Sequence, residues 1–321
     1  MAKKEDKNSD LNEDYKNLVE SAESSNESPQ EERIEQGKVN MDKFKRDEAA
    51  PADFHLGFHD VPVETLPSGG MFYPNKTQIS IRSAKVAEIR HFSTVDEQNI
   101  LDIDSKLNDI LESCIRVKSG SKMMSYKDLC EEDRFYVILS IRDLTFPDPE
   151  SRLALDHKDK KGKIHNIVIE KKYFQYFNIP KELDKYYDST AKAFLIQTKS
   201  FGEIVMRPPS IGIMKHMTAY IKERQEEGVD IDTSVIQIIP YLISEWRGFD
   251  KKKIFQFETE MNGWSTAKYS LIYKLAEKMK VGVQPNMIVQ LDGGEDVEIP
   301  INFRDGIKSL FIVQDIAGEL L

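Results

Sequence analysis

The sequence predicts an α+β fold, and three observations point to it. Short alternating apolar–polar runs bounded by turn residues read as strands and hairpins in the first two thirds of the chain. Amphipathic runs with a helical period interrupt them and then take over from Ser210 onward. No internal repeat is present, so a repeat array is not indicated.

The 321 residues suit one large domain or two modest ones, with length enough for a substantial core. Residues 1–52 stand apart. The first 50 hold 9 Lys and Arg against 14 Asp and Glu, and only Tyr15 and Phe44 are aromatic. Such a segment buries too little apolar surface to offset its ordering entropy, so a disordered acidic arm is expected there, with transient helix around Glu13–Ser21. An α+β domain over 53–208 and a helical domain over 209–321, ending in a hairpin and a short helix, complete the expected organisation.

Each element follows from its own pattern. Gln78–Arg82 alternates around Ile79 and Ile81 and reads as a half-buried strand; Ala84–Phe92 reads as a short helix. Ile103, Leu107, Ile110, Leu111 and Cys114 share one face of an amphipathic helix, and "KSGSKMMS" then breaks the chain. Glu131, Glu132 and Asp133 suit a helix N-terminus, where acidic groups meet the positive end of the dipole. Phe135 through Leu144 are apolar nearly all round, as a central core helix would be. Leu153, Leu155, Ile164, Ile167 and Ile169 flank a charged turn at Gly162, which gives a β-hairpin, and Ser200–Gly202 turns a second pair of strands. Among the later helices, Met214, Met217 and Ile221 define one inward face, Asp232 and Ser265 are caps, and Pro240 is a kink. Ile272, Leu275, Ala276 and Met279 face inward on the last helix, and a final hairpin turns at 292–294.

Composition narrows the function classes. The formal net charge of −10 opposes a general role on phosphate backbones, no apolar run is long enough to span a bilayer, and the N-terminus lacks the apolar run of a secretory signal. Cys114 and Cys130 give no disulfide framework and fit a reducing compartment. The phosphate-loop, dinucleotide, zinc-protease and nucleophile-elbow motifs are all absent, so no catalytic residue and no cofactor is expected. Asp156, His157, Asp159 and His165 form the one metal-like cluster, but the thiolates are missing and Lys158, Lys160 and Lys161 add repulsion, which makes a solvated hairpin tip the expectation.

"LPSGGMFYP" is the most specific stretch. Pro67 fixes the second position of a tight turn, and Gly69 and Gly70 accept positive φ. Met71, Phe72 and Tyr73 are thereby returned toward the body, and Pro74 ends the segment. This run, the "ISIR" strand after it, the helix ending at Ser113-Cys114, the pair Ile141-Arg142 and the hairpin of 152–169 together resemble the T-even-type phage baseplate hub assembly proteins, also described as tail assembly or baseplate chaperones. The resemblance covers about residues 61–170 and leaves the acidic arm outside. It implies a non-enzymatic protein that binds tail and hub subunits, as a chaperone in the host cytoplasm or as a minor part of the baseplate. Relatives can carry zinc-ribbon-like cysteine knuckles at the hairpin; Asp156, His157 and Lys160 stand there in this chain, so no zinc is carried over.

Three contact surfaces are expected on that reading: the turn (Leu66, Pro67, Gly69, Gly70, Phe72, Tyr73), the hairpin (His157, Lys160) and the C-terminal segment (Leu310, Phe311, Ile312). The competing expectation is that these residues complete the core. Another virion part (portal, sheath or capsid associated) and an adaptor touching nucleic acid through Lys158–Lys163 and Lys251–Lys253 are the alternative functions.

Overall fold

The computed structural model describes residues 57–230, 232–291, 294, 296–303 and 306–312, and the arm expected over 1–52 lies outside them. Residues Gly57–Leu321 cluster as one compact unit of α+β architecture. A four-stranded antiparallel sheet opens it, in order β1 (His59–Val61), β2 (Thr77–Ile81), β3 (Ile115–Ser119) and β4 (Lys122–Met124). Ile79 and Ile81 point inward from β2, as their alternation predicts, and pair with Val117 and Ile115 across the sheet. "KSGSKMMS" is a correction: it turns β3 into β4 at Gly120, whose φ of 58° favours glycine, and Lys118 and Ser119 pair with Met123 and Lys122. The run is a tight hairpin turn between two short strands, so its Ser- and Gly-rich composition alone reads as a break.

Two helices follow β2. α1 (Val86–Ser93) and α2 (Ile100–Cys114) lie against each other, and Asn99 caps α2 by accepting from the Leu101 and Asp102 amides. Ile110, Leu111 and Cys114 are buried on the predicted face. After a single 3-10 turn at Glu131–Asp133, α3 (Arg134–Thr145) runs through the centre with Val137, Ile138, Leu139 and Ile141 buried. Arg134 fastens its start to α2 through Asp104 at 2.5 Å and to Glu131 at 3.1 Å.

β5 (Ala154–Lys158) and β6 (Ile164–Val168) form a two-stranded hairpin, and β7 (Phe174–Tyr176) comes next in the chain. β8 (Tyr187–Asp188), β9 (Ala193–Thr198) and β10 (Gly202–Met206) make a three-stranded antiparallel sheet in the order β10-β9-β8.

The helical portion comprises α4 (Ile211–Glu226), α5 (Thr233–Leu242), α6 (Lys251–Asn262) and α7 (Thr266–Lys278). Side chains of Ser210, Asp232, Asp250 and Ser265 accept from backbone amides at their four N-termini. The inward face of α7 is the predicted one. On α4 the buried face is Ile211, Ile213, Met217 and Tyr220, so it is rotated from the one predicted, leaving Met214 and Ile221 half-buried. β11 (Val283–Gln290) and β12 (Asp296–Pro300) form the last hairpin, and a 3-10 turn at Ile307–Leu310 follows.

The division expected at 208/209 is a second correction. β11 pairs with β7 across that boundary, with Met287 opposite Phe174. The Ile211 amide donates to the Leu129 carbonyl, and Cys130 bridges Ser210. One apolar core runs from Leu66 to Phe311. A change from strand to helix patterning marks a change of elements, and here the later elements pack into the same core.

Candidate functional site

The Leu66–Tyr73 segment is a set of consecutive turns. The Gly69 amide donates to the Leu66 carbonyl at 2.8 Å, which puts Pro67 at the second position as expected, and Met71 and Tyr73 close the next turns onto Ser68 and Gly70. Gly70 has φ 76°, and a Cβ there would stand 3.2 Å from Val63 Cγ2. The clasp on this loop is Asp133, 0% exposed. Its carboxylate accepts from the Ser68 amide at 2.8 Å, the Ser68 hydroxyl at 2.6 Å and the Tyr73 hydroxyl at 2.5 Å. Tyr73 Oη accepts in turn from the Cys130 amide at 3.1 Å. Phe72 packs between Tyr187 and Phe194 with ring centroids 6.3 and 6.1 Å away, while Arg207 and Tyr187 donate to the Phe72 and Met71 carbonyls.

This geometry corrects the expected contact surface. Leu66, Phe72 and Tyr73 are 3% exposed or less, so they have no surface to offer a partner. Pro67 and Gly70 are half-buried and Gly69 alone is exposed. The turn works as a fastener between α3 and the β8–β10 sheet. Burial, followed by the Asp133 charge, pushes the Tyr73 hydroxyl far above its usual range, and Cys130 is raised likewise by burial and then by Asp133 and Glu132. A thiol held protonated is a poor nucleophile.

The C-terminal surface meets the same correction. Leu310 and Phe311 are buried, with Phe311 edge-on to Phe92 at 5.2 Å, and Ile312 is half-buried; residues 313–321 lie outside the described residues. Lys308 ties the segment to Glu97 through its amide at 3.1 Å.

The hairpin is the expected surface that stays accessible. Leu155 and Ile167 pair across it and point inward, whereas Ile164 is 65% exposed beside the turn. No third strand joins β5 or β6 among the described residues, so both edges of the ladder are open. Asp159 organises the turn, accepting from the Lys161 and Lys163 amides at 2.8 and 2.9 Å, and it pairs with His165 at 3.1 Å. That His165 contact, with the two amides, holds the Asp159 carboxyl below its usual range. His157 stands opposite His165 and is half-buried; Lys158, Lys160, Lys161 and Lys163 are exposed. Asp156 faces Asn166. Among the described residues no three His, Cys, Asp or Glu side chains are placed to hold a metal ion together. Two recesses of about 320 and 310 Å3 flank the hairpin, one at its foot against α3 and one against β11.

The sequence reading missed Asp133, although the residue itself stood in a run of three acids. What identifies it is a separation of 65 residues between hydrogen-bonding partners, which no local pattern encodes. No helix among the described residues is long and apolar enough to cross a membrane. Compared with family models, with curated proteins and with solved structures, the chain matches none.

Proposed function

We propose that the protein is a non-enzymatic subunit-binding protein of a contractile phage tail, acting in baseplate hub assembly as a chaperone or a minor structural component. The observation that carries the reading is the β5–β6 hairpin: two open strand edges, an exposed Ile164 and a basic turn on an otherwise acidic protein. Residues 152–163 hold five Lys and Arg against two Asp, a net of +3 on a chain of −10. A partner segment that adds a strand to such an edge gains main-chain hydrogen bonds, and acidic side chains on it complement the lysines. The resemblance of the Leu66–Pro74 run and its ordered companions supplies the tail context.

Purification of the tagged protein during infection by a phage that encodes it, with mass spectrometry of the co-eluting proteins, tests the proposal. Tail and hub subunits are expected with the wild-type chain and are expected to be lost with an Ile164→Asp, Lys160→Glu variant that melts at the wild-type temperature. Recovery of replication factors or metabolic enzymes instead would refute the assembly role. The same basic turn also suits a phosphate backbone; retention on DNA that falls steeply with added salt would favour the adaptor reading.

A further inference from the structure

We infer that the recess at the foot of the β5–β6 hairpin is a binding site for a single carboxylate carried on an apolar body, anchored by Arg142. Arg142 projects from α3 and is 4% exposed. One guanidinium nitrogen, Nη2, donates to the Ser151 carbonyl, while Nε is enclosed and has no acceptor among the described residues. Among the described side chains no carboxylate stands within ion-pair distance of it. Its sequence neighbour Asp143 is taken by Lys171 at 3.1 Å. A guanidinium removed from water is costly, and burial pulls its pKa below the ordinary arginine value against the partial support of the nearby Asp143 charge. The Phe146 ring, 5.4 Å from the guanidinium carbon, packs beside it.

The lining says what the counter-ion is. The recess holds about 320 Å3, at the small end of ligand sites, and its surface is mainly polar, with an apolar part from Leu139, Phe146, Leu153, Ile169 and Phe174. Three cations line it, Arg142, Arg152 and Lys171, against two carboxylates, Asp143 and Glu170. Glu170 pairs with Arg152 at 3.0 Å and Asp143 with Lys171, so the charge without a match is one positive charge, on Arg142. A monoanion neutralises it. A phosphate dianion would set a second negative charge beside Asp143 and Glu170. The planar guanidinium suits a carboxylate, and the apolar part of the lining suits a short hydrocarbon body behind one. The carboxylate can belong to a free small acid or to the C-terminal residue of a polypeptide. The inference stands whether or not the hairpin docks a subunit.

Calorimetric titration of the full-length chain tests it, with four probes: N-acetyl-leucine, acetyl-Ala-Ala-Leu as the free acid, N-acetyl-leucinamide and inorganic phosphate. Saturable binding of the two acids, and none of the amide or of phosphate, is expected. Arg142→Gln is expected to weaken the acids by about tenfold or more, since it removes a charged hydrogen-bond donor. Tighter binding of the tripeptide than of acetyl-leucine would identify a polypeptide terminus as the source, and equal binding a free small acid. Should Arg142→Gln fail to fold, the Arg142 Nε–H resonance of the wild-type protein gives the same answer, shifting with the acids and not with the amide. No saturable binding at millimolar acid, equal binding of acid and amide, phosphate binding in place of carboxylate, or unchanged affinity in the folded variant would each overturn the site.

Discussion

At the scale of single residues, the fold turns on carboxyl groups removed from water. Asp133 satisfies three donors at once, and burial still outweighs those hydrogen bonds and raises its carboxyl above the usual range. Tyr73→Phe withdraws one of those donors and also leaves the Cys130 amide without its acceptor. A loss of about 2 kcal/mol is expected, read as a lower urea midpoint at unchanged slope. Glu132 is raised as well. Burial, with Glu131 and Asp133 beside it, pushes its carboxyl up to about 7 against the pull of Lys280. The folded chain therefore holds a proton on Glu132 that the unfolded chain releases above its ordinary value of 4.5. The stability tied to that proton is fully present below the unfolded value and is lost as pH climbs to about 7. Burial likewise raises Glu131 and Asp133, so they contribute in the same direction. Glu88 and Asp128, held low by Arg82 and Arg247 despite burial, act at more acid pH. Thermal melts across this window are expected to fall toward neutrality, and Glu132→Gln is expected to flatten the fall.

Among elements, close approach decides which positions tolerate change. Gly212 lies where α4 meets Trp246, and a Cβ there would fall 2.4 Å from Trp246 Cγ and 2.7 Å from Cδ2. Trp246 is itself held by Asp128, which accepts from its indole at 2.7 Å and from Arg247 at 2.8 and 2.7 Å. Gly212→Ala is expected to cost about 1–3 kcal/mol by overpacking and to shift the tryptophan emission. Adding Trp246→Ala should recover part of that cost, because the two changes share one contact. What was legible in the sequence at this scale was local. The periodicity around Ile110 and Leu111, the Asp232 and Ser265 caps and the turn at Pro67 each depend on residues a few positions apart, and each is found. What was not legible depends on distant partners: β7 is held by a strand more than a hundred residues later, and the Leu66–Tyr73 turn by Asp133. The same limit governs the candidate surfaces. Apolar residues at Leu66, Phe72, Leu310 and Phe311 read equally as contact or as core until the packing shows them covered.

The whole molecule sets an acidic background against one basic projection. The described residues from Leu66 to Phe311 share a single core, and the hairpin is joined to it: Leu155 and Ile167 anchor it inward while its lysines and Ile164 face solvent. Lys158→Glu, Lys160→Glu and Lys161→Glu together lie at exposed positions and are expected to leave the folding stability within about 1 kcal/mol of wild type while reversing the local charge. If protein docking is the role, that variant slows association with the partner and lessens its dependence on salt. The most direct measurement places a photo-crosslinking amino acid at Lys160 in the full-length protein during infection and identifies what becomes attached. The account predicts a tail subunit joined through an acidic segment, with the yield abolished by Ile164→Asp. Attachment to nucleic acid alone, or a subunit captured equally well by the Ile164→Asp protein, would contradict it.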